Sequence, residues 1–123
     1  MLRKGQTFLG HYNVKTGKRQ GQGSIIWDDK SRFDGFWNHD KANGKGRMIY
    51  ADGTVYQGNW VDGRQTGYGV YSNIEGLKYR GMWLNNLQHG KGEEEWPEGT
   101  TFSGEFIHGK KTGKGTDTLV RVS

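Results

Sequence analysis

The sequence contains no cysteine and a single proline. Disulfides, thiolate metal sites and cysteine nucleophiles are therefore excluded. Long apolar runs are also missing. No stretch approaches the roughly 20 residues of a membrane-spanning helix, and the opening MLRKGQTFLG lacks the apolar core of a secretory leader. The chain is accordingly expected to be soluble, intracellular and cytoplasmic. Hydrophobic residues make up only 31% of 123 positions, too few for an interior built on Leu, Ile and Val.

Convergent chemical groups are scarce too. His11, His39, His89 and His108 form no metal-ligand spacing with one another or with a carboxylate. The run Glu93-Glu94-Glu95 alternates sides in a strand, so no two neighbours converge. Gly-x-Gly copies are present, but no helix follows them, as a phosphate-cradling loop requires. The sequence thus points to no catalytic residue, no metal and no cofactor, and the protein is expected not to be an enzyme.

What is present is glycine, 22 residues of it, and aromatics at 13%, with a net charge of +5. Aromatic content of this size argues against disorder. Each ring buries on the order of 150–250 Å², so the rings must supply the burial. The positive charge permits an acidic partner but selects none.

The rings and glycines recur together. Aromatic-x-Gly-x-aromatic occurs at Phe8-Gly10-Tyr12, Phe33-Gly35-Trp37, Tyr56-Gly58-Trp60, Tyr79-Gly81-Trp83 and Phe102-Gly104-Phe106. From the second copy onward the spacing is 23 residues, and the first lies 25 residues before the second. A Gly-x-Gly follows in every copy, at Gly21/Gly23, Gly44/Gly46, Gly67/Gly69, Gly90/Gly92 and Gly113/Gly115. The two extra residues of the first copy fall in its turn, VKTGKRQ.

Each unit reads as a β-hairpin. TVYQGNWV is aromatic-rich and alternating, Asp62-Gly63 favours a type I′ turn, and RQTGYGVY returns. His39-Asp40, Asn85-Asn86 and His108-Gly109 occupy the same slot. ADG, IEG and PEG then lead into the next unit. A two-residue turn pairs Val61 with Arg64, Trp60 with Gln65, Gly58 with Gly67 and Tyr56 with Gly69. Tyr56, Gly58, Trp60, Gly67, Gly69, Tyr71 and Asn73 then share one face. The glycines leave room there for rings of their own and neighbouring hairpins. The opposite face carries Lys18, Lys41, Arg64, Leu87 and Lys110, with Gln22, Lys45, Tyr68, Lys91 and Lys114 inside the Gly-x-Gly copies. Arg32, Arg47, Lys78 and Arg80 join it, against Asp34, Glu93, Glu95 and Glu105.

These phrases, VYQGNWVDGRQTGYG and ADGTVYQGNW above all, resemble the MORN repeat. The resemblance runs from Gly5 to Gly115. It implies an all-β fold, an elongated, curved, single-layer antiparallel sheet of five successive hairpins. One domain would span 1–123, with units near 6–30, 31–53, 54–76, 77–99 and 100–123. It further implies a scaffold or adaptor role, often at membranes, in the cytoskeleton or in cilia. The sequence departs from the pattern at Asn73, in the column of Trp27, Tyr50 and Trp96. It departs again at Glu94, in the column of Ile25, Met48 and Tyr71, and at Leu119 in the last unit. The start at Gly5, in register with Gly53, Gly76 and Gly99, fits either a capping start or a lost upstream repeat.

Three functions follow as expectations. In the first, a partner protein segment, peptide or helix, binds a concave aromatic face through Trp37, Tyr50, Trp60, Tyr71, Trp83 and Trp96, with Asn73 and Glu94 adding polarity. In the second, the basic face binds anionic phospholipid such as phosphoinositide through Lys18, Lys41, Lys45, Arg47, Arg64, Arg80, Lys91, Lys110 and Lys114. In the third, the chain is a targeting or accessory module of a larger enzyme or ciliary or cytoskeletal complex. Nucleic acid is disfavoured, since aromatics and most basic residues are assigned to opposite faces. The open edges, residues 116–123 above all, invite pairing with a second copy.

Overall fold

The computed structural model describes residues 5–118. They form ten strands: β1 (Gln6–Tyr12), β2 (Arg19–Trp27), β3 (Arg32–Asn38), β4 (Lys41–Ile49), β5 (Val55–Val61), β6 (Arg64–Ser72), β7 (Lys78–Leu84), β8 (Leu87–Glu95), β9 (Thr101–Ile107) and β10 (Lys110–Thr118). Each pairs antiparallel with the next, in simple sequence order, to make one open single-layer sheet. No helix occurs among the described residues. Leu119, Val120, Arg121 and Val122, on which the expected self-association rests, lie outside them.

The tight turns take the backbone their residues favour. Asp62 and Gly63 have φ of 48° and 81°, and Asn85 and Asn86 have 48° and 73°, as a type I′ turn demands. Asn13 closes the longer first turn, its Oδ1 accepting from the amides of Lys15 and Thr16.

The observed register corrects the expected one. Trp60 does face Gln65, but Gly58 faces Gly69 and Tyr56 faces Tyr71. The pairing of Gly58 with Gly67 and of Tyr56 with Gly69 is thus displaced by two residues. Gly67 is the cause. Its φ of 101° lies in the left-handed region that favours glycine, and the second strand bulges opposite Asn59. That bulge explains why β6 has 9 residues against 7 in β5. A shift of two residues preserves which side chains share a face, so the face assignment stands.

The corrected register aligns glycine across the whole sheet: Gly10, Gly23, Gly35, Gly46, Gly58, Gly69, Gly81, Gly92, Gly104 and Gly115 are successive partners. The aromatic rings lie over this bare spine. Phe33 meets Trp37 and Trp60, Tyr56 meets Trp60 and Trp83, and Tyr79 meets Trp83 and Phe106, at centroid distances of 5.0–5.5 Å. All these contacts are edge-to-face, the favoured arrangement, contributing about 0.5–1.5 kcal/mol each beyond burial. The first ring of each of these units is wedged between its own second ring and that of the following unit. No hairpin therefore completes its own core, which is the physical reason for an array.

Candidate functional site

The inner face is the aromatic one, and its floor is sealed. Trp37, Trp60 and Trp83 are 8%, 9% and 7% exposed, while Tyr56 and Tyr79 are fully buried. Each indole Nε1 donates to the preceding unit: Trp37 to the Gly23 carbonyl at 3.0 Å, Trp60 to Gly46 at 3.1 Å and Trp83 to Gly69 at 3.2 Å. Tyr56 and Tyr79 donate to the carbonyls of Asn59 and Met82. Burial raises both tyrosine pKa values, Tyr79 to about 12, with the Glu94 charge adding to its shift.

Above this floor stand half-exposed rings at the inter-unit turns. Tyr50 and Trp96 are exposed on one side, and Trp27 and Tyr71 are half-buried. Burial raises the Tyr50 pKa, against the hydrogen bond it accepts from Gln65 Nε2 at 3.1 Å. Asn73 has a local task, its Oδ1 accepting from the amides of Glu75 and Leu77. That role suits a turn residue and explains why an aromatic column tolerates asparagine.

One column covers the rings at the hairpin ends. Across the ladders Tyr12 faces Arg19, Trp37 faces Ala42, Trp60 faces Gln65, Trp83 faces Gln88 and Phe106 faces Lys111. Arg19 is buried over the Trp37 ring, 4.3 Å from its centroid, and its Nε donates to Asp40 Oδ1 at 2.6 Å. Lys111 lies 4.5 Å over the Phe102 ring and 3.1 Å from Glu94 Oε1. That Glu94 oxygen is buried and out of line for any hydrogen bond. Ala42 is the one short side chain in the column. Around it a groove of about 600 Å³ opens, lined by Ile25, Trp27, Phe33, Trp37, Met48, Tyr50, Trp60 and Gln65 among others. Sequence reasoning passed over Ala42. Comparing the five residues opposite the second ring of each unit was the signal available.

The predicted cations share the outer face or the turns beside it. Lys18, Lys41, Lys45, Arg47, Arg64, Lys91, Lys110 and Lys114 are exposed. Arg80 is engaged by Glu93 at 3.0 Å and Glu95 at 3.2 Å. Arg32 pairs with Asp34, holding that carboxyl below its ordinary range, with help from Ser24. The division into an aromatic and a basic face is incomplete. Phe36 and Tyr68 stand on the basic side, 48% and 49% exposed, because each occupies the position between an inward glycine and the next inward residue. There they line a second groove, of about 900 Å³, with Gln22, Asp34, Lys45, Arg47, Gln57 and Val70 among its walls.

No group of three or more His, Asp or Glu able to hold a metal occurs among the described residues, and no helix there is long and apolar enough to cross a membrane. A comparison with curated proteins returns no match. The family model described as MORN repeat matches five consecutive segments, residues 15–32, 33–55, 56–76, 79–101 and 102–116. Such repeats are protein or membrane-lipid interaction modules rather than an enzymatic family. With the ten-strand sheet of hairpins and five matches covering most of its length, the chain belongs to the MORN-repeat family.

Proposed function

We propose that the inner face binds a segment of a partner protein, anchored by an apolar side chain in the groove at Ala42. The groove is the observation that carries this reading. Its volume of about 600 Å³ falls in the range of sites that seat a ligand, roughly 300–1,000 Å³. Its walls are rings with few rotatable bonds, the residue class that forms binding hot spots. Trp37 and Trp60 act as the floor rather than as free anchors, because stacking already holds them. Tyr50, Tyr71 and Trp96 offer the contact area along the turns, Trp83 continues the floor, and Asn73 and Glu94 supply polar ends. The module is thus a non-enzymatic adaptor.

Filling the gap tests this. Ala42→Gln installs the residue that the third and fourth units carry at Gln65 and Gln88, so the fold should tolerate it. Peptides selected from a display library on the wild-type chain should share an apolar anchor and lose at least about tenfold in affinity for Ala42→Gln, the equivalent of burying one large side chain. Selected peptides that bind Ala42→Gln undiminished would place the site elsewhere.

A further inference from the structure

The larger groove lies on the opposite face, where Phe36 and Tyr68 stand among cations. Successive partners across the ladders place Gln22 beside Phe36, Lys45 beside Asn59 and Tyr68 beside Met82. Phe36 and Lys45 flank the Gly35–Gly46 pair on facing strands. Ring, ammonium, the Asn59 amide and ring therefore follow one another along one row. Three strand spacings separate Phe36 on β3 from Tyr68 on β6, about 14 Å. Arg47 stands one row away, facing Gln57. Among the residues lining the groove Asp34 is the only carboxylate, and Arg32 already binds it with two hydrogen bonds, at 2.8 and 3.0 Å. Lys45 and Arg47 leave the groove itself positive, while Lys41 and Arg64 stand at its margins beside the turn residues Asp40 and Asp62. A lipid surface meets basic residues and rings spread over a broad face, whereas a single-stranded polynucleotide follows a groove and offers phosphates to the cations and a π-face to each ring.

We propose that this outer groove binds a single-stranded polynucleotide, with bases stacked on Phe36 and Tyr68 and the linking phosphates over Lys45 and Arg47. Stacking is indifferent to base identity, so sequence preference is weak. The contacts involve base faces and phosphates and not the sugar, so DNA and RNA bind alike. The site is separate from the groove at Ala42.

Fluorescence anisotropy with labelled oligo(dT) and oligo(U) of about ten nucleotides tests the proposal. Both should bind, and more weakly as salt rises. Tyr68→Ala and Phe36→Ala should each weaken binding about tenfold, while Tyr68→Phe, which keeps the ring, should not. Both rings are half-exposed, so the variants should melt with the wild type. The double variant Lys45→Gln/Arg47→Gln should lower the slope of log affinity against log salt by about 1.4. Ala42→Gln should leave binding intact. Oligonucleotide affinity unchanged by both alanine variants would overturn the proposal, as would loss of binding in Ala42→Gln. It would equally fall if the oligonucleotides did not bind at low salt while phosphatidylserine vesicles did.

Discussion

Replacing Gly58 by valine places a side chain where the structure has no room for one. A Cβ at Gly58 would sit 2.5 Å from the Gly69 Cα and 2.5 Å from the Tyr68 carbonyl oxygen. Carbon atoms in contact prefer about 3.5–4.0 Å. The obstacles are backbone, so no side chain can swing aside, and the strands themselves must part by about 1 Å. Parting weakens two ladder hydrogen bonds, each worth about 1 kcal/mol. It also displaces Tyr56, whose hydroxyl lies 3.0 Å from the same Cβ and which is wedged between Trp60 and Trp83. Overpacking adds about 1–3 kcal/mol. The sum, about 3–5 kcal/mol, is a large share of a typical domain stability of about 5–15 kcal/mol. Thermal melts followed by circular dichroism and tryptophan fluorescence should show a fall on the order of 10–20 °C. Gln57→Val is the matched control. Gln57 is exposed on the outer face, and a β-branched residue suits a strand, so its effect should stay within about 0.5 kcal/mol. Equal melting temperatures for the two variants would refute both the face assignment and the glycine spine.

The period, the hairpins and the two faces were legible in the sequence, because each rests on local chemistry. Aromatic-x-Gly-x-aromatic fixes a strand with one face, and Asp62-Gly63 or Asn85-Asn86 fixes a turn. The register beyond the turn was not legible. Pairing Gly58 with Gly67 or with Gly69 leaves the same residues on the same face, so alternation cannot separate the two. The left-handed backbone of Gly67 decides, and only the structure displays it. Burial of the indoles was hidden for a related reason. Which face Trp60 occupies follows from alternation, but its enclosure is completed by Phe33, which reaches it from the preceding unit opposite Tyr56 of its own strand. Ala42 is unremarkable in its own strand and becomes a gap only beside Arg19, Gln65, Gln88 and Lys111. Tyr68 was assigned to the basic face, and Phe36 escaped attention because the repeat phrase directs it to the rings on either side.

Two further perturbations act at the C-terminal end of the inner face. Glu94→Met restores the kind of residue that Met48 supplies in the same column, and it removes a buried carboxylate oxygen that has no hydrogen bond. Lys111 is 43% exposed and can turn to water once its partner is gone, so the exchange removes the cost of burying one carboxylate and the melting temperature should rise; a fall would show the pair with Lys111 to be net favourable. The second perturbation is alkaline pH, and Tyr79 sets its direction. The folded pKa of Tyr79, about 12, lies above the ordinary value of 10.0, first because of burial and then because of Glu94. Folding therefore favours the neutral hydroxyl. Its contribution is fully present below about pH 10 and is lost as pH rises through about 12, on the order of 3 kcal/mol. Tyr56 is raised in the same direction and steepens the decline. Tyr79→Phe should be less stable than wild type at neutral pH by about 1 kcal/mol, since the Met82 carbonyl loses its 2.8 Å donor. Between about pH 10 and 12, however, its urea midpoint should fall less steeply, because phenylalanine has no proton to lose. Glu94→Met, which removes the second cause of the shift, should lie between the two. Parallel curves for wild type and Tyr79→Phe across that window would mean that Tyr79 titrates as an ordinary surface tyrosine, which its complete enclosure between Trp83 and Phe106 forbids.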